Sequence, residues 1–368
     1  MDSPLNQELQ KIEWGEFKLG DLFDIQNTNS FNADVLVPGN EYDYVTRTSI
    51  NQGVLEETGF VNLENINPAG TWSLGLLQMD FFYRRKPWYA GQFVRKITPK
   101  IKLTEKSVLF FTVLLNKLKK RLLSVLVRDV DHMFLTSVIS LPIRNNNIDF
   151  SFIDRFIAKL EAERLTELEA YLLVTGFKDY ELTDEEQVVL KNYNNVKWID
   201  VTYKSIFNRI VQGRRLKKED QIPGNIPFVM SGTTNTGVVN FISNPVASFP
   251  KNSITVDIFG NVFYRNYDFG AGDDTGVYWN DAKEYSKEQM IFFAASMKRS
   301  LLNKFSYGKK LRSSESYDIP MMLPIKNESI DFNYMNILVS AIQKLIIKDV
   351  VLYADKRIKA TKEVINKE

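Results

Sequence analysis

Cysteine is absent from this chain of 368 residues, and histidine occurs once, at His132. Disulfide bonds, thiol nucleophiles, zinc clusters and Ser-His-Asp triads are therefore almost excluded, because each depends on these residue types. The apolar stretches are interrupted long before the length of a membrane span, and the opening MDSPLNQELQ has no basic segment followed by an apolar run. We expect a cytoplasmic protein without a membrane segment.

The signatures of nucleotide-dependent enzymes are also missing. No P-loop GxxxxGK[ST] occurs, and FGAGDD is a weak match to a Gly-rich cofactor loop. The Asn-Pro pairs at 67–68 and 244–245 lack the Asn-Pro-Pro-aromatic element of a nucleotide methyltransferase. Asp273-Asp274 could ligate a metal ion, but Gln92-Phe93 stand at the matching place in the first half of the chain. We therefore expect no catalytic site, metal or cofactor in this chain.

The sequence repeats itself over nearly its whole length. At an offset of 184, the segment NQGV at 51–54 falls on NTGV at 235–238 without a gap. At an offset of 182, the LPI at 141–143 falls on the LPI at 323–325. A tandem duplication predicts two domains related by a pseudo-two-fold axis, and it suggests a target with two half-sites.

Positive charge is concentrated at corresponding places in the two repeats, although the formal net charge is only +2. Residues 84–121 hold twelve Lys or Arg against one acidic residue, Glu105, and residues 291–312 hold six basic and no acidic residues. Clustered cations are what phosphate-backbone binding requires, since they displace condensed counterions. The alternative is that these side chains solvate exposed helix faces.

The pattern of apolar residues predicts the same order of elements in each repeat. A strand-like opening leads into short strands joined by turns, and an amphipathic basic helix follows at 104–126 and 286–305. A longer helix closes each repeat, at 151–174 and 333–366, with apolar spacings close to a coiled-coil seam. Such a helix is roughly 40 Å long, near the ~34 Å that separates half-sites one DNA turn apart.

These elements predict an α+β fold. Two pseudo-two-fold-related α/β domains are separated by two long antiparallel helices that form a coiled-coil spacer, and Trp14 and Trp198 are assigned to the domain cores. The predicted order is first domain, first spacer helix, acidic linker, second domain and second spacer helix, at residues 1–147, 148–177, 178–195, 196–328 and 329–368.

The order of motifs resembles the target-recognition domains of specificity subunits from type I restriction-modification systems and the related type IIB systems. The resemblance covers essentially the full chain. In the second repeat, Gly260 stands where the first has Met79, and KFSYGKKLRSSES stands where the first has RDVDHMFLTS. The resemblance rests on WGEFKLGDLFDI and WIDVTYKSIFNRI, YVTRTSINQGV and FVMSGTTNTGVV, SITVDIFGNVFYRNYDFGAGDD, and the LPI before each terminal helix.

This resemblance implies a non-catalytic subunit that recognises double-stranded DNA. Each domain would enter the major groove over one half of a split, asymmetric sequence, while the helices set the gap and dock methyltransferase subunits. The methyltransferase of this family modifies adenine with S-adenosylmethionine, so that cofactor is expected in the partner. A restriction or translocase subunit could join the complex, because ATP-driven translocation must belong to a chain that has a P-loop.

The candidate DNA contacts are polar or basic residues in predicted loops. Arg47 suits bidentate contact with guanine, and its counterpart Ser231 would read a different base; a surface ion pair is the alternative for Arg47. Asn51 and Asn235 could pair with adenine, but Asn near Gly favours a turn. The full set of candidates is Thr46, Arg47, Asn51, Arg84, Arg85, Lys86, Arg214, Arg215, Lys217, Ser231, Asn235, Arg265, Asn266, Lys309, Lys310 and Arg312.

Each basic cluster in this set has an alternative role. The clusters at 84–86 and 265–266 suit contact with phosphates or base edges, or else a solvated turn. The cluster at 214–218 lies beside Gly213 and suits a phosphate clamp, although the acidic pair at 219–220 cancels part of its charge. The cluster at 309–312 has no acidic neighbour, which favours DNA contact.

Two other functions stay open on the sequence. The chain could be a self-sufficient methyltransferase or nuclease with an unrecognised site, which label transfer from S-adenosylmethionine to DNA by the purified chain would establish. It could also be a structural adaptor whose basic segments bind acidic protein surfaces. A protein that mimics DNA is disfavoured, because such mimics need acidic surfaces.

Overall fold

The computed structural model describes residues 4–125 and 127–365. The chain forms two compact units: the first runs up to Leu168 and includes the part from Ile358 onward, and the second is Glu169–Arg357. The predicted helix ends at Leu126 and Asn366 lie outside the described residues.

The first unit combines short strands with short helices. Its 3-10 turns are Ala33–Val35, Ile50–Gly53 and Val127–Asp129. Its helices are α1 (Pro4–Lys11), α2 (Leu19–Leu22), α3 (Glu105–Lys117), α4 (Lys119–Leu122), α5 (Val130–Thr136) and most of α6 (Phe150–Val174). Its strands are β1 (Trp14–Lys18), β2 (Phe23–Asn27), β3 (Tyr42–Val45), β4 (Val54–Thr58), β5 (Thr71–Gly75), β6 (Asp80–Arg84), β7 (Trp88–Ala90), β8 (Val94–Pro99), β9 (Val138–Arg144) and β10 (Asn147–Ile148).

The second unit is built from the same kinds of element. Its 3-10 turns are Tyr193–Asn195, Lys218–Asp220, Thr234–Gly237 and Ser313–Glu315. Its helices are α7 (Asp184–Lys191), α8 (Tyr203–Ile206), α9 (Lys287–Leu301) and most of α10 (Phe332–Ile365). Its strands are β11 (Lys197–Thr202), β12 (Arg209–Gln212), β13 (Pro223–Val229), β14 (Val238–Ile242), β15 (Ser248–Phe249), β16 (Ser253–Asp257), β17 (Val262–Arg265), β18 (Phe269–Ala271), β19 (Thr275–Trp279), β20 (Pro320–Lys326) and β21 (Ser329–Ile330).

The strands of the two units are connected in the same order. The first unit has sheets β1-β9-β10, β2-β8-β5-β6 and β4-β3-β7, and the second has β11-β20-β21, β12-β19-β16-β17 and β14-β13-β18-β15. In both, the central pair of the third sheet, β3 with β7 and β13 with β18, is parallel. Matched backbone positions agree as well, since Met79 and Gly260 have φ of 55° and 83°. The predicted duplication of a mixed α/β domain is therefore confirmed.

The apolar core of each unit includes the basic helix and its four-stranded sheet. Phe23 of β2 meets Phe111 of α3 edge to face, with ring centroids 5.6 Å apart. The matching pair in the second unit, Phe207 and Phe293, meets in the same geometry at 5.8 Å. All four rings are buried, and such pairs stabilise a core by about 0.5–1.5 kcal/mol beyond the burial of area.

The basic helices begin at equivalent caps. The Thr104 hydroxyl accepts the Ser107 N–H at 3.1 Å, and the Ser286 hydroxyl accepts the Gln289 N–H at 3.1 Å. The two capping residues are 182 positions apart, so the two basic helices begin at the same point of the repeat. Each helix therefore turns its apolar stripe toward the core. In the first repeat the helix is divided into α3 and α4 at Leu118, which the apolar pattern alone does not indicate.

The prediction that both indoles belong to the cores is wrong for Trp14. Trp14 is 42% exposed, and its indole N–H donates to the Leu9 carbonyl oxygen at 3.2 Å. Trp198 is half-buried and stacks on Phe292, with centroids 6.2 Å apart. The physical reason is that side chains alternate along β1, where Trp14 shares the exposed face with Glu16 and Lys18 while Phe17 lies on the other face.

The segment 178–195 belongs to the second unit and is not a linker between domains. Helix α7 begins with a capping box, in which the Thr183 hydroxyl accepts the Glu186 N–H and the Glu186 carboxylate accepts the Thr183 N–H at 2.8 Å. Glu186 is 4% exposed, accepts the Ser340 hydroxyl at 2.6 Å and lies 3.1 Å from the Lys344 ammonium. An acidic sequence is therefore folded onto α10 by capping and charge pairing.

The two predicted long helices are present as α6 and α10. In the second unit, Met335 and Leu338 of α10 are buried in the core, whereas Ile342, Leu345 and Ile346 are 41%, 48% and 72% exposed. Within residues 4–125 and 127–365, no helix is both long enough and apolar enough to span a bilayer.

Glu186→Gln tests whether charge fixes α7 to α10. Burial acts to raise the pKa of Glu186, but hydrogen bonds from Ser340, the Thr183 N–H and Lys344 outweigh it and lower that pKa below its ordinary 4.5. We expect the variant to lose about 1–3 kcal/mol of unfolding free energy at pH 7. Because the folded-state pKa is depressed, the wild-type advantage is present above pH 4.5 and disappears as the pH falls through the folded-state pKa.

Chemical denaturation of both proteins across this pH range measures the difference. Glu185→Gln, which removes an exposed carboxylate from the same helix, is the control and should change stability little. A difference for Glu186→Gln that stays constant with pH would contradict the account.

Candidate nucleic-acid interface

Each unit carries a left-handed turn at the same place. In the first unit Asn51 and Gln52 have φ of 47° and 53°; in the second, Asn235 and Thr236 have φ of 48° and 53°. Each Asn amide donates to a backbone oxygen three residues ahead, at 3.2 and 3.3 Å. Asn tolerates this conformation better than other non-Gly residues because its short side chain bonds locally. The interpretation of both Asn residues as turn formers is therefore confirmed.

A buried arginine holds the turn of the first unit from beneath. Arg84 is 3% exposed, and its Nη2 donates to the Gln52 carbonyl oxygen at 2.5 Å. Its Nε and Nη2 donate to the Ser73 hydroxyl at 2.9 and 2.6 Å. The prediction that Arg84 contacts DNA is wrong, because its guanidinium points into the domain and its donors are used there.

The second unit repeats this arrangement with Arg265, which is 1% exposed. Its Nη2 donates to the Thr236 carbonyl oxygen at 2.6 Å, and its Nε donates to the Thr255 hydroxyl at 3.0 Å. Its Nη1 donates to the Thr236 and Tyr267 hydroxyls at 3.1 and 3.0 Å. The prediction of DNA contact is wrong for Arg265 for the same reason. Its neighbour Asn266 is exposed and stays a candidate contact.

Both buried guanidiniums keep their charge at neutral pH. Burial lowers the pKa of Arg84 to about 10, with the Asp43 carboxylate acting in the opposite direction. Burial also lowers the pKa of Arg265, with Tyr267 opposing it. No ion pair joins either side chain to another described residue, so each cation is held by neutral oxygens around the turn.

Arg47 is exposed beside its turn and differs sharply from its counterpart. Its guanidinium lies over the Phe93 ring, 5.4 Å from the centroid, and forms no ion pair within the described ranges. Its backbone packs on Gly75, where a Cβ would come within 2.9 Å of the Arg47 Cα. The alternative of a surface ion pair is not seen, and a cation stacked on an exposed ring presents its donors outward. Thr46 precedes it and is half-buried, with its N–H bonded to the Gly53 carbonyl oxygen at 2.8 Å.

Ser231 replaces Arg47 in the second unit and is fixed by a carboxylate. Its N–H and hydroxyl both donate to Asp274, at 3.0 and 2.7 Å. The next residue, Gly232, donates its N–H to Asp257 at 2.9 Å, and Asp257 also accepts the Phe259 N–H at 2.9 Å. The matched positions therefore present a stacked cation in one unit and a hydroxyl oxygen in the other.

Much of the basic segment of the first unit is neutralised in space. Lys86 lies 2.9 Å from Asp43 and 2.7 Å from Glu57, so its phosphate-binding role is weakened. Arg85 is exposed and only 3.7 Å from Glu105, a contact too open to remove its charge from solvent. Other ion pairs join basic residues of 84–121 to carboxylates from distant parts of the chain, at Arg95–Asp131, Lys100–Asp24 and Lys119–Asp80.

The basic cluster of the second unit remains available. Arg214, Arg215 and Lys217 are exposed and make no ion pair with a described residue. They lie in the loop after β12, whose Gly213 N–H bonds to the Thr275 carbonyl oxygen at 2.9 Å. A groove of about 770 Å³ joins this loop to the hairpin near the left-handed turn, and its lining includes Arg215, Lys217, Met230, Val239, Asn240 and Asp273.

The loop of Lys309, Lys310 and Arg312 is tied to the same face. Arg312 Nη1 donates to the Asp273 carbonyl oxygen at 2.8 Å, and Gln212 Nε2 donates to that same oxygen at 3.0 Å. Lys309 and Lys310 are exposed and lie over Phe305 and Tyr307, at 5.9 and 4.8 Å from the ring centroids. Three predicted clusters, at 214–217, 231–235 and 309–312, are therefore brought together.

Sequence reasoning missed the residues that organise this face. Asp257 accepts N–H groups from Gly232, Phe259 and Asn261, and Asp274 fixes Ser231. These carboxylates accept N–H groups of the loops, whereas a carboxylate facing a duplex would repel its phosphates. We therefore interpret these acids as structural. An acidic residue at the end of a strand and close to a Gly, such as Asp257 before Gly260, is the sequence signal that could have identified them.

The described residues contain no group of three or more Asp, Glu or His side chains placed to hold a metal ion. Asp274 is instead used by Ser231, and Asp273 contributes its carbonyl oxygen to Arg312 and Gln212. The face is built from exposed cations, hydroxyls and amides on ordered turns, which are the groups that contact phosphates and base edges.

Comparison with known proteins assigns this architecture. Residues 11–170 and 195–366 match the family model described as the type I restriction modification DNA specificity domain. The chain belongs to this family. The specificity domain occurs twice in it, once in each repeat.

Individual relatives agree with the family. The chain is 24% identical over 334 residues to the type II restriction enzyme specificity subunit S.BcgI of Heyndrickxia coagulans, covering 88% of this chain and 93% of that protein. Its fold is similar to the S subunit of a type I restriction-modification system from M. genitalium, with a TM-score of 0.55 and 15% identity over 97% of this chain and 95% of that one. The protein is a restriction-modification specificity subunit, and its function is DNA sequence recognition.

Proposed function

We propose that the specificity subunit reads a bipartite duplex DNA site, with one half-site for each unit. The observation that carries the proposal is the duplicated left-handed turn, which follows Arg47 by four residues in the first unit and Ser231 by four residues in the second. An arginine donor fork and a serine hydroxyl suit different base edges in the major groove. The two half-sites should therefore differ in sequence.

The exposed cations supply the part of the affinity that does not depend on sequence. In the second unit these are Arg214, Arg215, Lys217, Lys309 and Lys310, which lie on two loops that Gln212 and Arg312 tie to the Asp273 carbonyl oxygen. In the first unit Arg85 takes this role, since Arg84 is buried and Lys86 is paired. Phosphate contacts of this kind fix the register of a protein on the duplex while the turn reads bases.

We further propose that catalysis belongs to partner subunits. A methyltransferase would bring S-adenosylmethionine and modify adenine, and a restriction or translocase subunit would complete the complex. Label transfer from S-adenosylmethionine to DNA by the specificity subunit alone would contradict this division of labour. We also propose that the complex acts in the cytoplasm.

The docking surface for the methyltransferase is the exposed apolar stripe of α10. Ile342, Leu345, Ile346, Val350 and Tyr353 follow one another at helical spacing and are 40% to 72% exposed. The stripe continues into a groove of about 650 Å³ that is lined by Trp198, Phe292, Met322 and Leu338, among others. A contiguous exposed apolar stripe of this kind is typical of a protein–protein contact. An amphipathic helix of the methyltransferase fits such a groove.

Exchanging residues 1–145 for those of a relative with another target tests the two-half-site proposal. We expect one half-site to change and the other to stay, because the turn, the buried arginine and the loops of the second unit are untouched. Single-molecule sequencing of adenine methylation in a host that expresses the chimaera with its methyltransferase measures both half-sites and their spacing. A change in both half-sites, or in neither, would show that recognition is not divided between the units.

Lys309→Gln with Lys310→Gln tests the phosphate role. We expect the slope of log affinity against log salt to fall by about 1 for each lysine removed, with little change in base preference. The control is Lys326→Gln, an exposed lysine at the turn between β20 and β21, which should leave the slope unchanged. An unchanged slope for the double variant of the assembled complex would favour the adaptor function.

Ile346→Asp tests the docking surface. A buried, unpaired carboxylate is costly at an apolar interface, so we expect at least a 10-fold weaker association with the methyltransferase. Co-purification and titration of the two subunits without DNA measure this. Val246→Asp changes an apolar residue of similar exposure, 59%, on a loop of the same unit and should bind normally. Equal binding by both variants would exclude the stripe as the docking surface.

A further inference from the structure

The buried arginines have matching geometry in the two units, and they lie directly under the parts that differ. Arg84 and Arg265 occupy the last position of β6 and β17. Each donates from Nη2 to the carbonyl oxygen of the second left-handed residue, Gln52 or Thr236, at 2.5 and 2.6 Å. Each also donates from Nε to a hydroxyl on the neighbouring strand, at 2.9 and 3.0 Å.

The turn above each arginine is intrinsically strained. Two consecutive non-Gly residues with positive φ cost roughly 1–2 kcal/mol each, so the free peptide would leave this conformation. The hydrogen bond from a guanidinium to the turn carbonyl points that oxygen inward. The side chains at 51–52 and 235–236 are exposed as a result.

A purely structural cation would be expected to have a different set of partners. Buried charges are ordinarily paired with an opposite charge, yet neither guanidinium pairs with a carboxylate among the described residues. Both instead donate to a strand hydroxyl and to the carbonyl oxygen of the turn, and Arg265 donates in addition to the Thr236 and Tyr267 hydroxyls. Because the guanidinium is planar and its donors are fixed in direction, it determines the position of that oxygen closely.

We infer that Arg84 and Arg265 are positioning residues that set the base preference of their own half-sites without touching DNA. Each fixes its left-handed turn, and the turn in turn places the segment that carries Arg47 or Ser231. In the first unit the Thr46 N–H bonds to Gly53 at the end of the turn, and in the second the Met230 N–H bonds to Gly237. This inference rests on the proposed division of the DNA site between the units.

The experiment uses the full-length chain co-expressed with its methyltransferase and a library of duplex DNA in which both half-sites are randomised. We expect Arg84→Met to lower base discrimination about 10-fold in the half-site of the first unit and to leave the other half-site unchanged. Arg265→Met should do the converse. Each unit therefore serves as the internal control for the other.

Double variants separate positioning from stability. Arg84→Met with Ser73→Ala, and Arg265→Met with Thr255→Val, remove both the guanidinium and its strand hydroxyl, so that fewer buried polar groups are left unpaired. We expect them to regain part of the thermal stability lost by the single variants. They should not regain base discrimination, because the turn carbonyl oxygen still lacks the hydrogen bond from the arginine.

The outcomes are distinguishable. A wild-type complex that selects no bipartite sequence would show that the proposed function itself is wrong. If the wild type selects such a sequence, full discrimination in the single variants, equal losses in both half-sites, or recovery of discrimination together with stability would overturn the positioning role. Loss of the folded unit in both double variants would also overturn it, since the arginines would then serve stability alone. Loss confined to one half-site, with recovered stability, supports it.

Discussion

The hydrogen bond from a buried guanidinium to the oxygen of a left-handed turn is the contact on which each recognition surface depends. The turn is unfavourable for the residues that form it, and the guanidinium is unfavourable in an apolar interior, but each supplies what the other lacks. Arg84 and Gln52 form this pair in the first unit, and Arg265 and Thr236 form it in the second. Because each pair is made within one unit, the turn of one unit does not depend on the side chains of the other. Variation is left to the side chains above the turn, where Arg47 and Ser231 differ.

Charge is distributed differently in space and along the chain, and this affects how the two units hold DNA. The basic segment of the first unit meets carboxylates from other elements, such as Asp43 with Lys86 and Asp131 with Arg95. The second unit keeps the cations at 214–217 and 309–310 free of ion pairs with described residues, on two loops that Gln212 and Arg312 tie to the Asp273 carbonyl oxygen. In the first unit Lys102, Lys117 and Lys120 are likewise exposed and make no ion pair with a described residue, so both units offer cations of the kind on which counterion release depends.

The fold was predictable where local pattern and burial agree. The caps at Thr104 and Ser286, the basic helices and the long helices follow from residues close in sequence, and they formed where the pattern indicated. The assignment of Trp14 to the core was wrong because Trp14 lies on the exposed face of β1, together with Glu16 and Lys18. The prediction for the segment 178–195 failed because its acidic residues are counted as solvated. In the structure the Ser340 hydroxyl donates to Glu186 and the Lys344 ammonium balances its charge, both from more than 150 positions away. In the site, arginines at a strand end look the same whether they face solvent, as Arg85 does, or the interior, as Arg84 does.

The sequence by itself determined the duplication, the mixed α/β character and the two left-handed turns, because an offset repeat and Asn near Gly are local properties of the chain. The tertiary structure alone decided which basic side chains are exposed and which are buried or ion-paired. Successive side chains along a strand point in opposite directions, so Arg84 and Arg85 face opposite ways. Only the sheet register fixes which of the two is buried. It also decided that loops more than 70 residues apart, at Arg214 and Lys309, share one face, since long-range hydrogen bonds to Asp273 and Thr275 hold those loops together.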